Sequence, residues 1–473
     1  MEELELYTGR LEYKDIQFTF IFDRKELRLI PPTEKQHEIE FVWGLKSLGH
    51  DLYTGPEPIP VGEDVLIGEC NETRQRIVFL PQRGRNLSRY NSTVIIRLEA
   101  YIICKINRDT IDRASFSCAE INYIHPANKA IKLALQYEEW NNKGVVSVST
   151  SDFDNTTTEK CFFSVDGKQV SSYFGITRSV SSKIHEAPLS VYSSMMFEFD
   201  PTADYRFIYR LWGIARQYIR FLCYRKNVFI PEIELSCPCE GGKHEKFATM
   251  YILGQDGKIE DETLKKGRYI KQAYIDKHEG RILSDIANDS LYLRHLPDSF
   301  HAGRKIDASR FVMIMAAFEW EFHRQYPDGV KKDKSTVEAE NHVAEIIQEH
   351  IANTGGKQKK IFKFLKKLVR SDSLQTEIIQ MGKDYSDIIG VFGEHLYKLN
   401  DQVLKYTEMG QRLSDQRNHF AHGDLDKEFI GLSLLDLIYM EYVIYAMQLK
   451  YYGIDDNNIR KSINELFHLS FAI

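Results

Sequence analysis

The hydrophobic pattern of this chain changes its period near residue 204, and this change constrains the fold more than any other feature. Before that point, short runs of β-branched and aromatic residues are separated by Gly, Pro, Asn or charged clusters, a pattern that predicts strands. Asp166-Gly167 is the predicted turn of a later hairpin. The clearest of these runs are residues 16–22, 38–43, 64–70, 76–81 and 93–104.

From residue 205 onward, apolar residues recur at spacings of three and four, which predicts helices. Residues 205–226 predict one long amphipathic helix, and from about residue 303 the chain is almost entirely helical. Long helices with short breaks are typical of an up-and-down bundle. The predicted helices of this part cover residues 308–326, 335–354, 357–370, 374–399 and 400–421, and a last one ends at Gly453.

The predicted fold class is therefore α+β, because a β-rich region precedes an all-α one. A chain of 473 residues is too long for a single ordinary core. We predict a β-rich N-terminal domain over residues 1–235, a sandwich- or barrel-like sheet closed by a long helix. A connector follows over residues 236–302, and a helical bundle over residues 303–473.

Composition narrows the compartment and the class of partner. The net charge of −6 means that a nucleic-acid site would have to be a local basic patch. Seven scattered cysteines argue against a disulfide framework. The start MEELELYTGR has no apolar core of a signal peptide, and no run reaches the roughly 20 apolar residues of a membrane span. We expect a cytoplasmic protein without a membrane partner.

The stretch QRNHFAHGDL, residues 416–425, concentrates reactive side chains at a predicted helix end. Gly423 directly after His422 is typical of a glycine that ends a helix. Asn418 and His422 are four residues apart and share a helix face, and Arg417 is one step round. An arginine can bind a phosphate and a histidine can move a proton near neutral pH, as metal-free RNA cleavage requires. The alternative is a simple helix C-terminus with solvent-exposed His419 and His422.

On these residues, Arg417-Asn418-xxx-His422 resembles the RN-xxx-H form of the R-x(4–6)-H signature of HEPN domains, over residues 303–473. The whole order of regions, with LEYKDIQFTFIF and VLIGECNETRQRIVFL in the β-rich part, is similar to ApeA-type anti-phage proteins of bacteria. The resemblance implies an abortive-infection effector: a metal-independent endoribonuclease that cleaves host or phage RNA, often tRNA. Such enzymes leave 2′,3′-cyclic phosphate and 5′-OH ends, and they build a composite site from two copies across a homodimer.

The resemblance also implies roles for individual residues. Arg417 would bind phosphate, His422 would act as acid or base, and Asn418 would orient the reacting groups. An acidic residue from an earlier helix completes such sites, and Glu319 is preferred over Glu321 in AAFEWEFHR. Because an unregulated RNase would kill its host, the N-terminal domain is the expected sensor of a phage-derived trigger. The alternative function is a non-catalytic module for dimerisation, RNA binding or partner binding.

A basic run over residues 357–370, KQKKIFKFLKKLVR, carries seven positive charges and no acid. Its apolar residues, Ile361, Phe364, Leu365 and Leu368, are predicted to face a core. RNA phosphate binding is the preferred interpretation; a solvated helix face and a membrane-surface helix are the alternatives. The basic residues that share one helix face are Lys363, Lys366, Lys367 and Arg370.

The stretch CPCEGGKH brings Cys237, Cys239 and His244 close in sequence. A structural zinc ion needs a fourth ligand, so the preferred interpretation is two reduced cysteines in a turn. No catalytic cofactor is predicted, and no Walker A, GxGxxG or GxSxG motif is present. The candidates for a fourth zinc ligand are Cys223, His278, His295 and His301.

Overall fold

The structure is a computed structural model that describes residues 5–49, 52–106, 108–135, 146–184, 187–255, 264, 267–369, 371–421 and 429–471. The chain divides into two compact units. The first comprises Met1–Cys223, Asn227–Leu264 and Lys271–Ser290, and the second Tyr224–Lys226, Lys265–Ile270 and Leu291–Ile473. Residues 236–302, predicted as a connector, are thus divided between the two units. Across the described ranges, no helix is long and apolar enough to cross a membrane.

The first unit is β-rich. Its strands are β1 Tyr7–Tyr13, β2 Ile16–Phe22, β3 Glu26–Ile30, β4 Leu45–Gly49, β5 Leu52–Pro56, β6 Leu66–Cys70, β7 Arg76–Pro81, β8 Ser88–Tyr90, β9 Thr93–Cys104, β10 Ile111–Phe116, β11 Ile131–Leu135, β12 Val146–Thr150, β13 Cys161–Val165, β14 Lys168–Val180, β15 Leu189–Thr202, β16 Glu232–Cys239 and β17 Lys243–Ile252. Its helices are α1 Thr33–Phe41, α2 Ile121–Ile124, α3 Tyr205–Cys223, α4 Gln272–Ile275 and α5 Glu279–Ala287.

Six of these strands close into a barrel in the order β9, β3, β2, β1, β6, β7 and back to β9. Closure is possible because β9 is long: residues 94–97 pair with β3, and residues 98–103 pair with β7. Alternation in β2 points Ile16, Phe18, Phe20 and Phe22 into the core. Four of the predicted strands, β2, β6, β7 and β9, therefore lie in a barrel rather than a sandwich.

Glycine makes room for one of the core rings. A Cβ on Gly68 of β6 would lie 2.8 Å from Cε1 of Phe20, and one on Gly9 of β1 would lie 2.5 Å from the same ring. Both distances are shorter than a van der Waals contact, so the ring packs directly on the backbone of two neighbouring strands.

The sheet continues outward from β9 through β17, β16, β10, β15, β14 and β13. The predicted turn at Asp166-Gly167 joins β13 and β14 and is confirmed, since both residues have positive φ, 51° and 77°. The predicted long helix is α3, and its apolar residues Phe207, Leu211, Ile214, Tyr218 and Leu222 are all buried. At the outer end, α5 lies on β13: a Cβ on Gly280 would come within 2.6 Å of the Phe162 carbonyl oxygen.

The second unit is helical. Its helices are α6 Phe300–Gly303, α7 Ala308–Gln325, α8 Lys334–Asn353, α9 Gly356–Val369, α10 Leu374–Lys398, α11 Tyr406–Ala421, α12 Ser433–Tyr451 and α13 Asp456–Leu466. Helix α12 is the most buried of them in the described residues, and most of its side chains lie in the core. One of these is Glu441, whose Oε1 lies 2.5 Å from Nη2 of Arg310 and also accepts a hydrogen bond from the Tyr224 hydroxyl.

Two sequence predictions about elements are wrong. Residues 38–43 were predicted as a strand, but residues 38–41 complete α1, whose N-cap is Pro32. The run KQHE before them favours helix, and it outweighs the alternation of EIEF. The helix predicted to start at residue 400 starts at Tyr406. Helix α13 was not predicted; the Asp455 side chain caps it by accepting hydrogen bonds from the amides of Asn457 and Asn458.

Candidate site at the end of helix α11

Helix α11 carries the RN-xxx-H motif, and its inner face fixes its position in the second unit. Met409, Leu413, Gln416 and Phe420 are buried at spacings of four, three and four residues. This inner face leaves Arg417 and Asn418 on the solvent side, where both are exposed. The motif is therefore presented by a helix that is anchored along its length.

A buried ion pair adds to this anchoring. Arg412 of α11 donates from Nε to Oδ2 of Asp436 and from Nη2 to Oδ1, both at 2.7 Å. Asp436, at the start of α12, is fully buried and also accepts a hydrogen bond from the Tyr397 hydroxyl. A bidentate pair fixes both direction and distance, so α11 is held in register with α12.

The guanidinium of Arg417 pairs with Glu319 of α7. Nη1 of Arg417 contacts Oε1 of Glu319, and the two side chains are 44% and 25% exposed. Glu321, the other acidic candidate, lies elsewhere: it is fully buried and accepts a hydrogen bond from Nε2 of Gln448 at 3.1 Å. Two positions apart on a helix are about 200° apart in direction, so only Glu319 reaches the motif.

A second carboxyl at this place, Glu377, was missed by sequence reasoning. It lies in the first turn of α10 and is 4% exposed. Its pKa is raised from the usual 4.5 to about 7, mainly by burial and also by the carboxylates of Glu319 and Asp372, while Arg417 opposes them. Its Oε1 lies 4.0 Å from Nε2 of the exposed His323. Within the described residues, the Oε2 atom of Glu377 has no hydrogen-bond partner.

Helices α7, α10 and α11 thus bring one arginine, two carboxyl groups and one imidazole together. Asp372 adds a third carboxyl just before α10, where it accepts a hydrogen bond from the amide of Val330 at 2.8 Å and pairs with Lys332. A carboxyl group that titrates near neutral pH can both accept and donate a proton under physiological conditions. An exposed arginine beside it can bind an anion.

The last turns of α11 contact the chain where it resumes at residues 429–433. Oε1 of Gln416 accepts hydrogen bonds from the amide of Ile430 at 2.7 Å and from the Ser433 hydroxyl at 2.9 Å. The rings of Phe420 and Phe429 lie 5.6 Å apart, edge to face. His422 and Gly423, between these anchors, lie outside the described residues, so the role predicted for His422 stays a prediction.

The predicted RNA-binding lysines lie on α9. Lys363 and Lys367 are exposed, and Nζ of Lys366 donates to Oε1 of Gln348 on α8 at 2.7 Å. Arg370 lies outside the described residues. The prediction that the apolar residues of this helix face a core is wrong, because no residue of α9 is buried. These exposed residues are Ile361, Phe364, Leu365 and Leu368.

The three predicted zinc ligands are not brought together. In the β16–β17 hairpin, His244 is opposite Pro238, whereas Cys237 and Cys239 are the residues on either side of Pro238. Alternation along a strand points neighbours to opposite faces, so the imidazole lies on one face and both thiols on the other. His244 instead has Nδ1 3.1 Å from Oδ2 of Asp112. The described residues contain no group of three or more His, Cys, Asp or Glu that could hold a metal ion.

Comparison with known proteins adds nothing to this geometry. No family model, no curated protein and no solved structure matches the chain. The case for a function therefore rests on the residues at the end of α11 and on the resemblance of their motif.

Proposed function

We propose that this chain is a metal-independent endoribonuclease of HEPN type, with its site at the end of α11. One observation carries the proposal: the exposed Arg417 of the motif is held by Glu319, next to a buried carboxyl, Glu377, whose pKa is raised to about 7. A phosphate-binding cation beside a group that exchanges protons near neutral pH is what RNA transesterification requires.

The reaction needs one bond to form and one to break. The RNA 2′-oxygen attacks phosphorus and loses its proton to a base, while the 5′-oxygen leaves and receives a proton from an acid. The products are a 2′,3′-cyclic phosphate and a 5′-hydroxyl. In this proposal Arg417 stabilises the charge that develops on the phosphoryl oxygens, and His422 and Glu377 are the two groups that exchange protons. Asn418 is exposed one position further and would orient the ribose or the phosphate.

The ion pair between Arg417 and Glu319 has a consequence for regulation. A phosphate must compete with the Glu319 carboxylate for the guanidinium, so the site in this form binds RNA less strongly than a free arginine would. This supports an effector that is held at low activity until a phage-derived trigger acts, with the first unit as its sensor. A homodimer would place two such motifs side by side, and tRNA is the RNA we would test first.

The experiment is RNA cleavage by the purified full chain in excess EDTA, with total tRNA as substrate and mapping of the product ends. We compare wild type with Arg417→Ala and His422→Ala. Arg294→Ala and His342→Ala are matched controls, since both residues are exposed in the same unit. Removing one charge-stabilising donor reduces the rate of comparable reactions about 10²–10³-fold, and removing an acid or base reduces it about 10²–10⁴-fold.

Cleavage in EDTA that leaves cyclic-phosphate ends, and that only the two motif variants lose, would support the proposal. Cleavage that both motif variants retain would refute the site. If the purified chain does not cleave, the assay is repeated in extract of phage-infected cells. Absence of cleavage there, together with RNA binding that Arg417→Ala weakens, would favour the non-catalytic binding module.

A further inference from the structure

Helices α8 and α9 form an antiparallel hairpin with an exposed apolar side. On α9, Ile361, Phe364, Leu365 and Leu368 are 57%, 61%, 39% and 49% exposed. Their spacing of three and four residues places them along one side of the helix. A continuous apolar side of this kind, exposed to water, usually marks a surface that binds a partner.

Contacts between the two helices define the flanks of the hairpin. On one flank the His350 ring stacks on Phe362 with 4.9 Å between centroids. On the other flank Lys366 donates to Gln348. A rotation of about 100° per residue places the exposed apolar side of α9 on the Phe362 flank. It also places Val343 and Ile346 of α8, 42% and 43% exposed, on the same flank as His350.

The charges of the hairpin are distributed unequally between its two helices, since α9 carries lysines without acids and α8 carries the acids. The exposed acids of α8, Glu338, Glu345 and Glu349, lie on the outer face of that helix, roughly a third of a turn from Val343 and Ile346. The lysines of α9 border its apolar side along the outer edge, Lys360 and Lys367 among them. On α9, the apolar flank thus combines aliphatic and aromatic side chains with a border of ammonium groups, and α9 contains no carboxylate. On α8, the acids lie beside the flank, on the outer face of the helix.

We propose that this apolar flank docks on an anionic lipid bilayer surface. Apolar side chains of an amphipathic helix enter the boundary between headgroups and acyl chains, while lysines at its border contact anionic headgroups. The sequence predicts no membrane partner for the chain and leaves a membrane-surface helix as one alternative for residues 357–370; docking on a bilayer corresponds to that alternative.

Two other occupants fit the flank less well. RNA phosphates match the lysines but leave Ile361, Leu365 and Leu368 exposed to water, since bases stack on aromatic rings and not on aliphatic chains. A second copy of the chain, packed flank to flank, would bring two sets of lysines together without carboxylates between them. Of these three occupants, the anionic bilayer is the one that covers the apolar side chains and neutralises the lysines at once.

Flotation of the purified full chain with lipid vesicles tests the inference. We expect co-flotation with phosphatidylcholine vesicles that contain phosphatidylserine, weaker association at high salt, and little with phosphatidylcholine alone. The double variant Phe364→Gln/Leu368→Gln should abolish association, and Lys360→Gln or Lys367→Gln should each weaken it about fivefold. Leu399→Gln is the matched control, because Leu399 is 69% exposed outside the hairpin and its loss should change nothing.

Circular dichroism of each variant verifies that the helices remain folded. Absence of flotation with the anionic vesicles, or flotation that the double variant retains, would overturn the inference. A dimer in light scattering that the double variant dissociates, without vesicle binding, would assign the flank to contacts between copies. If the double variant loses RNA binding and the wild type does not bind vesicles, the flank would be assigned to nucleic acid. The result does not depend on RNase activity, so the two proposals fail separately.

Discussion

The buried carboxyl of Glu377 makes the stability of the second unit depend on pH in a way that one substitution removes. Its pKa is raised from 4.5 to about 7, a difference of about 2.5 units. At about 1.4 kcal/mol per unit, the ionised form is disfavoured in the folded chain by about 3 kcal/mol. Glu377→Gln keeps the shape of the side chain and cannot ionise, so it avoids this penalty.

The direction of the pH dependence follows from whether the folded or the unfolded chain holds the proton. Between pH 4.5 and about 7, the folded chain keeps a proton that the unfolded chain has lost, so the stability of the wild type falls as pH rises. Above that range the loss is complete, and below it there is none. The glutamine variant should therefore be more stable than wild type by about 3 kcal/mol at about pH 8, and equally stable at about pH 4.

Hydrogen exchange of peptides from α10 and α11 measures the local stability of these helices. A local measurement is needed because a chain of two units need not unfold in one step. Exchange is compared at several pH values after correction for the intrinsic rate. Glu394→Gln is the control, an exposed carboxyl on the same helix, and should give a difference near zero throughout. An advantage of Glu377→Gln that is constant over pH would refute the assignment of a raised pKa to this carboxyl.

Two further predictions concern what holds each unit together. Asp436→Asn removes the buried charge that pairs with the guanidinium of Arg412, so it should destabilise the second unit by about 3 kcal/mol. Urea denaturation measures this loss. The double variant Arg412→Met/Asp436→Leu should recover most of it. In the barrel, Gly68→Ala places a methyl group against the Phe20 ring and should lower the free energy of unfolding by about 1–3 kcal/mol. Hydrogen exchange of β1 and β2 measures this loss. Gly55→Ala is the control and should be neutral, because the space around Gly55 is open.

Local patterns were enough to predict the long helices and several of the strands. The run IQFTFIF has an apolar residue at every second position from Ile16 and is strand β2, residues 16–22, as predicted. The apolar spacing from residue 205 predicted α3 and its buried face. These predictions succeed because alternation and the helical period are properties of neighbours in sequence.

Features that depend on distant partners could not be predicted. Barrel closure rests on the pairing of β7 with β9, and no local pattern specifies which strands pair. In the sequence, Glu377 looks like an ordinary acidic residue in a first helical turn, where a negative charge interacts favourably with the helix dipole. Its burial beside Glu319, far away in sequence, is what raises its pKa. The apolar side of α9 resembles that of any core-facing helix, and only the packed structure shows that it is exposed.

The position of Gly280 bears on whether the outer end of the sheet can pair with other chains. A strand at the end of a sheet exposes unpaired amide and carbonyl groups, which other chains can use to extend the sheet into aggregates. In this unit one end of the strand order is rolled into a ring. At the other end, helix α5 lies on the backbone of β13, and Gly280 is the residue at this close contact. A larger residue at position 280 would lift that helix and open a template for intermolecular strand addition.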